Sequence, residues 1–173
     1  MTENATALSL SGRRAVVTGG ASGIGKACAE AFAAAGAEVT VADVSAEAAE
    51  KVAAEIGGTA WAVDLSETRA LDELSLDTDI LVNCAGIQRI DPIQDYDPDT
   101  WRLIHRIMLE APFLLIRAAL PGMYERGFGR IVHVSSVHGL RASKYKAAYV
   151  AAKHGLLGLT KVLALETKAS REA

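Results

Sequence analysis

The sequence has few cysteines, few aromatic residues and no long apolar run. Only 2 of its 173 residues are cysteine, and aromatic residues make up 5% of the chain. No apolar run reaches the ~18 residues that a membrane span needs, and the opening MTENATALSLSGRR lacks the apolar core of a signal peptide. We therefore expect a cytoplasmic protein in which Cys28 and Cys84 are reduced and buried.

Strong charge of either sign is also absent. The formal net charge is −3, and no block of Lys and Arg or aromatic-basic alternation is present. This composition argues against a nucleic-acid partner. The scattered histidines and cysteines have no metal-ligand spacing, so we expect no metal site. Hydrophobic residues make up 50% of the chain, which suits residues 1–173 forming a single domain with a real core.

The first part of the chain has the pattern strand, glycine-rich turn, helix. Residues 14–18 form an apolar run, GGASGIG follows at 19–25, and an alanine-rich helical stretch comes next. This order begins a dinucleotide-binding unit. We expect Gly19 to permit the tight turn, Gly23 to let the backbone approach a pyrophosphate, and Gly25 to pack the helix onto the strand. The helix N-terminus would then face the phosphates.

The second predicted strand, residues 38–45, contains an acidic residue where it ends. Asp43 lies about 20 residues after the glycine turn, where a carboxylate hydrogen-bonds the ribose 2′-OH of NAD and repels the 2′-phosphate of NADP. No arginine follows it to bind that phosphate. The pattern therefore predicts NAD as the cofactor.

The rest of the chain continues to alternate between strands and helices. Further strands are predicted at 59–66, 79–86 and 129–136, with helices at 46–58, 66–76, from about 98 to 126, and at 149–168. This alternation predicts an α/β, Rossmann-like, doubly wound parallel sheet with helices on both faces.

Prolines and acidic residues set the limits of the long helix. Asp97 or Asp99 is expected to cap its start, with Pro98 in the first turn. Pro112 and Pro121 lie inside it, and each should kink it.

A tyrosine and a lysine on the last helix form the candidate catalytic pair. Tyr149 and Lys153 are four residues apart, which puts them on one helix face about 5–6 Å apart at Cβ. A cation beside a phenol favours the phenolate, which can exchange a proton with an alcohol or carbonyl oxygen near neutral pH. Ser136, at the mouth of the preceding strand, could hold the same oxygen. The pair alone is a weak motif.

Taken together, the motifs resemble those of the short-chain dehydrogenase/reductases. They are TGGASGIG at 18–25, Asp64, NCAG at 83–86, Ser136, and Tyr149 with Lys153. The resemblance covers essentially the whole chain. Within the family, three segments look like NAD-dependent 3-hydroxybutyrate dehydrogenases: 86–88, 135–143 and 146–166.

The resemblance implies a hydride transfer between NAD and a small 3-hydroxy acid, 3-hydroxybutyrate, giving acetoacetate. Tyr149 would remove the hydroxyl proton, Ser136 would hydrogen-bond the reacting oxygen, and Lys153 would support the phenolate and bind the nicotinamide ribose. The substrate would be bound by Gln88, Ser136, His138, Lys146 and Tyr149, with Gln88, His138 and Lys146 holding its carboxylate. The cofactor would be bound by Gly19, Ser22, Gly23, Ile24, Gly25, Asp43, Asp64, Leu65, Asn83, Ala85, Gly86, Tyr149 and Lys153. The resemblance also implies a homodimer or homotetramer built from the long helix and the last helix.

One residue departs from the family pattern inside the long helix. Where the family has a catalytic asparagine, seven residues after Trp101, this chain has Met108, which cannot make the hydrogen bonds of an amide. By the resemblance, a water held by that residue's main-chain carbonyl relays protons to the lysine. Pro112, four residues later, has no N–H to bond the Met108 carbonyl. We therefore expect that carbonyl to hold the relay water without an asparagine.

The resemblance stops at residues 163–173, where a full family member continues. We expect the Rossmann-like fold to be truncated after the helix that follows the fifth strand. The fifth strand would then have an exposed edge that invites association, and turnover would be weak or absent if these residues are the entire protein.

Two other functions remain open at this stage. The chain could act on another alcohol or carbonyl, such as a sugar or a 3-oxoacyl group. It could also be a non-catalytic NAD-binding or interaction protein, which Met108 and the short end would suit. Stereospecificity and the physiological direction of reaction are not encoded in any motif.

Overall fold

The computed structural model describes residues 9–169, which form two compact units. The first unit comprises the described residues up to Asp64 together with Glu73–Ala85 and Leu115–Val132. The second comprises Leu65–Asp72, Gly86–Leu114 and the described residues from His133 onward.

A five-stranded parallel sheet forms the centre of the first unit. The strands are β1 (Arg14–Thr18), β2 (Glu38–Asp43), β3 (Thr59–Ala62), β4 (Ile80–Asn83) and β5 (Arg130–His133). Their order across the sheet is β3-β2-β1-β4-β5. Val17 on β1 pairs with Val41 on β2 and with Val82 on β4. The predicted Rossmann-like α/β fold is confirmed.

The helices alternate with the strands as the sequence pattern predicts. They are α1 (Gly23–Ala34), α2 (Ala46–Ile56), α3 (Pro98–His105), α4 (Ala111–Glu125) and α5 (Ala147–Ala169). Gly57 ends α2 in the left-handed conformation, with φ of 67°, which glycine adopts without steric cost. None of the helices within residues 9–169 is long and apolar enough to cross a membrane.

The core of the first unit is built on the central strand. Ala15, Val16 and Val17 of β1 are each at most 5% exposed, because a central parallel strand is covered on both faces. Ala29 of α1 and Val52 of α2 are buried as well. This apolar layer holds the carboxyl ends of β1, β2 and β4 in fixed register.

The prediction of a helix over residues 66–76 is wrong, because only a short 3₁₀ turn, Thr68–Leu71, forms there. Thr68 and Leu71 are its buried residues, and this spacing of three suits a single 3₁₀ turn. Further along, the Leu76 N–H donates to the Ala118 carbonyl of α4 at 3.1 Å instead of to a helical partner. One buried turn is too little to support a helix of 11 residues.

In the second unit, α3 continues into α4 through an irregular turn. Asp97 caps α3, since its Oδ2 accepts the Thr100 N–H at 2.8 Å. The irregularity expected at Pro112 is a π-helical segment, Arg106–Glu110, in which the Ala111 N–H bonds to the Arg106 carbonyl five residues earlier. Pro121 lies inside α4 without ending it.

Candidate active site

The glycine-rich turn of the first unit leaves the start of α1 open to a ligand. A Cβ added to Gly25 would collide with the Gly19 carbonyl oxygen, and one added to Gly19 would lie 2.9 Å from Ala85 Cα. Gly23 has φ of 51° and open space around it. Ser22 precedes α1 without a side-chain cap bond, so the first amides of the helix remain available to an anion.

Asp43 lies at the end of β2 and holds the glycine-rich turn. Its Oδ2 accepts the Ala21 N–H at 3.2 Å, and its Oδ1 accepts the Ser45 N–H at 3.2 Å. Each carboxylate oxygen can accept a second hydrogen bond. The carboxylate is therefore pre-positioned beside the turn and retains the capacity to accept a hydroxyl group.

Thr18 joins the carboxyl ends of β1 and β4. Its buried hydroxyl donates to the Val82 carbonyl at 3.2 Å and accepts the Cys84 and Ala85 N–H groups at 3.0 and 3.2 Å. The strand order reverses between these two strands, and ligands of such sheets bind at the carboxyl ends at this switch point. Thr18 therefore shapes the edge of the sheet where a dinucleotide would lie.

Asn83 follows at the end of β4 with its amide unsatisfied. The side chain is 4% exposed, and neither its oxygen nor its nitrogen has a hydrogen-bond partner among the described residues. A buried amide without partners is costly, so this group suits contact with a ligand. Of the other residues predicted to bind the cofactor, Ile24 and Asp64 are exposed, while Leu65 is only 7% exposed.

The second unit brings the predicted catalytic residues together. Lys153 is 5% exposed, its Nζ donates to the Val134 carbonyl at 2.6 Å, and Nζ lies 5.7 Å from the centre of the Tyr149 ring. Tyr149 packs on an apolar cluster that includes Ile104 and Met108. The Lys153 amine is therefore held in a fixed position beside the phenol ring.

A glycine lets the turn that carries Ser136 pack closely on α5. Ser136 precedes the 3₁₀ turn Val137–Gly139. A Cβ on Gly139 would lie 2.7 Å from Leu157 Cδ1 and 3.0 Å from the Lys153 carbonyl oxygen. The close approach places the Ser136 loop against the helix that bears Tyr149 and Lys153.

His138 links Ser136 with a second serine. Its Nδ1 lies 3.2 Å from Ser136 Oγ, and its Nε2 lies 2.8 Å from Ser143 Oγ. The His138 ring meets the Tyr149 ring edge-on, with 5.8 Å between their centres. His138 therefore belongs to the same cluster as the predicted catalytic residues, with both ring nitrogens engaged.

A backbone hydrogen bond joins the loops that carry Gln88 and Lys146, the other two residues predicted to bind the substrate carboxylate. The Asp91 N–H, in the loop after Gln88, donates to the Tyr145 carbonyl at 3.0 Å, directly before Lys146. Tyr145 has φ of 67°, a left-handed conformation that is costly for a bulky residue. Gln88 is exposed and Lys146 is half-buried, so both are accessible to a small ligand.

Three residues of the site were not predicted from the sequence: Thr18, Gly139 and Ser143. Thr18 could have been found as a polar residue at the end of an apolar strand. Gly139 carries no such signal, because the atoms it packs against belong to Leu157 and Lys153 of α5. The contact of Ser143 with His138 depends on the path of the loop between them, which residue type does not encode.

Known proteins resemble the chain in sequence and in structure. A D-beta-hydroxybutyrate dehydrogenase of Cupriavidus necator is 44% identical over 170 residues, covering 91% of this chain and 66% of that protein. One of Rhizobium meliloti is 40% identical over 172 residues, covering 91% and 67%. The crystal structure of a putative NAD(P)-dependent gluconate 5-dehydrogenase from Beutenbergia cavernae, with bound NADP at low occupancy, is similar with a TM-score of 0.86 at 37% identity, covering 94% of this chain and 70% of that one.

The chain thus spans about two thirds of the length of the curated relatives it matches. The sequence profile of the short chain dehydrogenases matches residues 13–171. With relatives at these identities and a Rossmann-like sheet, the resemblance seen in the motifs is confirmed: the chain belongs to the short chain dehydrogenase family.

Proposed function

We propose that this protein is an NAD-dependent dehydrogenase that transfers a hydride between NAD and a small 3-hydroxy acid, with 3-hydroxybutyrate and acetoacetate as the pair. The observation that carries the proposal is the cluster in the second unit. A buried lysine amine lies 5.7 Å from the Tyr149 ring centre, and Ser136 reaches the same ring through His138. A phenol beside a fixed cation is suited to proton exchange with an alcohol.

In the oxidation, Tyr149 as the phenolate takes the proton of the substrate hydroxyl. The Ser136 hydroxyl hydrogen-bonds the same oxygen and so orients the alcohol. Lys153 favours the phenolate through its charge, and it would also bind the nicotinamide ribose. When bound, the nicotinamide supplies the acceptor for the hydride that leaves the substrate carbon. In the reverse direction, Tyr149 returns its proton to the carbonyl oxygen of acetoacetate.

The residues present fit a dinucleotide. The open turn at Gly23 and the unpartnered amide of Asn83 suit phosphate and polar contacts, and Asp43 would accept the ribose hydroxyl of NAD. The further cofactor contacts would come from Gly19, Ser22, Ile24, Gly25, Asp64, Leu65, Ala85, Gly86, Tyr149 and Lys153. We expect Asp43→Ser to raise kcat/KM with NADP relative to NAD by about tenfold or more, because the repelling charge is gone.

The substrate carboxylate is proposed to contact Gln88, His138 and Lys146. Lys146 supplies the cation, and a charge-assisted hydrogen bond to a carboxylate is about twice as strong as a neutral one. Lys146→Ala should raise KM for 3-hydroxybutyrate about tenfold. The exposed neighbour Lys144 provides a matched control, and Lys144→Ala should leave KM unchanged.

Formation of reduced nicotinamide from NAD and (R)-3-hydroxybutyrate, followed by absorbance, tests the reaction directly. Tyr149→Phe should lower turnover at least about a hundredfold, while calorimetry still detects NAD binding. Binding of NAD without turnover of any 3-hydroxy acid would contradict the proposal and favour a non-catalytic NAD-binding protein.

A sugar acid is the second candidate substrate, because the structure from Beutenbergia cavernae is described as a putative gluconate 5-dehydrogenase. The same assay with gluconate separates the two. If gluconate has the higher kcat/KM and Lys146→Ala does not affect it, the 3-hydroxy acid assignment fails while the family chemistry stands.

We also propose a homodimer, or a homotetramer that contains it, formed through the face of α3, the π-helical segment, the start of α4 and α5. Trp101, Leu109, Phe113 and Leu159 line a largely apolar groove there of about 710 Å³. Phe113 is 50% exposed, so Phe113→Glu should disrupt association without removing a core residue. Light scattering after size exclusion measures the mass. An unchanged oligomer in Phe113→Glu would show that this face is not the interface.

A further inference from the structure

An ion pair lies in the loop that carries Gln88. Arg89 directly follows Gln88, and its Nε donates to Asp91 Oδ2. The Arg89 carbonyl accepts the Tyr96 hydroxyl at 3.4 Å, and Tyr96 packs on the same buried cluster as Tyr149. The main chain that carries the Arg89–Asp91 pair is therefore anchored to the cluster on which the predicted catalytic tyrosine packs.

Asp91 also lies next to the main chain of Lys146. Its N–H donates to the Tyr145 carbonyl at 3.0 Å, and the peptide bond of that carbonyl leads directly into Lys146. The Asp91 carboxylate is therefore within reach of the Lys146 side chain, whose stem is long and flexible. Opposite charges at such short range attract each other, so an ion pair between Asp91 and Lys146 would be expected here.

The structure shows a different pairing. Within residues 9–169, the Lys146 amine makes no hydrogen bond and no ion pair, although Lys146 is half-buried. The Asp91 carboxylate is bonded to Arg89 instead, and the two side chains are 29% and 64% exposed. The acidic group that could neutralise Lys146 is thus already paired with another cation.

We propose that Arg89 sets the affinity for the substrate carboxylate by keeping Asp91 paired, which leaves the Lys146 amine available. Arg89 is a positioning residue, because it acts on Asp91 and does not touch the substrate. Without Arg89, the Asp91 carboxylate turns to the Lys146 amine and competes with the substrate carboxylate for it. The carboxylate-binding role of Lys146 rests on the proposed function, whereas the pairing of Asp91 does not.

Kinetics of paired variants separate this role from a direct contact between Arg89 and the substrate. Arg89→Ala should raise KM for 3-hydroxybutyrate about threefold to fivefold, the size expected for one exposed ion pair between Asp91 and Lys146. Adding Asp91→Asn to Arg89→Ala should return KM to the wild-type value, because the competing charge is gone while the backbone N–H that bonds to Tyr145 remains. Arg89→Lys, which can still pair with Asp91, should match the wild type.

The change should appear in KM and not in kcat. None of these side chains is placed at the reacting oxygen, so kcat should stay within about twofold of the wild type in every variant. Lys144→Ala is the matched control, because Lys144 is exposed and directly precedes Tyr145. It removes a positive charge from the same turn without releasing an aspartate, and KM should not change. An equal rise of KM in Lys144→Ala and Arg89→Ala would overturn the inference.

Equilibrium binding of butyrate gives a readout that does not require turnover. Butyrate has the carboxylate of the substrate but no hydroxyl group, and a ligand-observed NMR titration in the presence of NAD measures its Kd. The Kd should rise in Arg89→Ala, recover when Asp91→Asn is added, and rise most in Lys146→Ala.

The outcomes of the butyrate titration are distinct. A Kd that stays raised in the double variant would overturn the inference, since Arg89 would then bind the carboxylate itself. An unchanged Kd in Arg89→Ala, or binding that Lys146→Ala does not weaken, would overturn it as well. The expected pattern of Kd without turnover of 3-hydroxybutyrate in any variant would support the role of Arg89 and count against the proposed function.

Discussion

Met108 covers Gly86 with its thioether. A Cβ on Gly86 would lie 3.3 Å from Met108 Cε and 3.5 Å from its Sδ. Met108 is 1% exposed and packs in the apolar cluster that supports Tyr149. At the position where the family resemblance places a polar amide, the side chain therefore acts as a packing element, filling the space beside Gly86 and against the cluster on which Tyr149 packs.

A variant that keeps this volume should keep the activity. Met108→Leu is expected to change kcat by less than about twofold and the free energy of unfolding by less than about 1.5 kcal/mol, because the swap nearly conserves volume. Met108→Ala should cost about 2–5 kcal/mol, since it leaves a cavity. Urea unfolding and steady-state kinetics measure both. A large loss of kcat in Met108→Leu at unchanged stability would mean that the thioether takes part in catalysis.

The main chain at Met108 gives a separate prediction. Met108 lies within the π-helical segment Arg106–Glu110, and Pro112 has no N–H to donate to its carbonyl. If that carbonyl holds a proton-relay water, Pro112→Ala should supply a competing N–H and lower kcat. The helix itself should become no less stable, because proline is the poorest helix former. Steady-state kinetics measures the effect of Pro112→Ala on kcat, and thermal unfolding measures its effect on stability.

Pro121→Ala provides the matched control, because Pro121 lies inside the same α4 helix. It should leave kcat unchanged. Equal kcat in Pro112→Ala and the wild type would contradict the hypothesis that the Met108 carbonyl holds a relay water. Activity with Met108 in place of the asparagine would then need another explanation.

The close packing of the Ser136 turn on α5 predicts a glycine requirement. Gly139→Ala would place a methyl group 2.7 Å from Leu157 Cδ1 and 3.0 Å from the Lys153 carbonyl oxygen, so the turn that carries Ser136 is expected to shift relative to α5. We expect kcat to fall about tenfold or more, as misplacement by an ångström can cost a hundredfold.

Gly158 on the same helix is a natural control, because a Cβ there would meet no atom within 4 Å. Gly158→Ala should leave kcat unchanged and raise stability by about 0.5–1 kcal/mol. If both variants behave alike in kinetics and thermal unfolding, the packing of the turn does not position Ser136.

Local sequence signals were sufficient to predict the strands and most of the helices, and some of the residues at which helices begin and end. The cap at Asp97, the end of α2 at Gly57 and the apolar strand β1 each depend on neighbours within a few residues, so spacing and residue type predict them. The helix expected at 66–76 failed because its apolar residues support only one buried turn.

Side-chain contacts that depend on the path of an irregular loop could not be predicted in the same way. Ser143 reaches His138 only because the chain turns back between them, with Tyr145 in a left-handed conformation just beyond Ser143. The π-helical form of the irregularity before Pro112 was also beyond reach, since proline chemistry predicts a disrupted helix but not which hydrogen-bond pattern replaces it.

A half-buried histidine on β5, His133, predicts how stability depends on pH. His133 Nδ1 lies 2.7 Å from Thr160 Oγ1, and the Thr160 hydroxyl donates to the Leu156 carbonyl at 2.7 Å. The Thr160 oxygen therefore accepts the Nδ1 proton, and Nε2 is buried without a partner among the described residues. Burial lowers the pKa of His133, the Leu156 carbonyl opposes this, and the nearby Lys153 charge lowers the pKa further.

The direction of the pH dependence follows from which state, folded or unfolded, binds the proton first as pH falls. As pH falls below the unfolded pKa of about 6.5, the unfolded chain takes up a proton that the folded protein still refuses. The stability contributed by neutral His133 is thus fully present above that pH. It declines as pH falls from the unfolded pKa to the lower folded pKa, and below the folded pKa it declines no further. We expect urea unfolding to show a decline in stability below about pH 6.5 that is reduced in His133→Gln. His154→Gln, at an exposed histidine bonded to the Val150 carbonyl, should retain the wild-type decline, and a decline equally steep in both variants would mean that His133 is not its source.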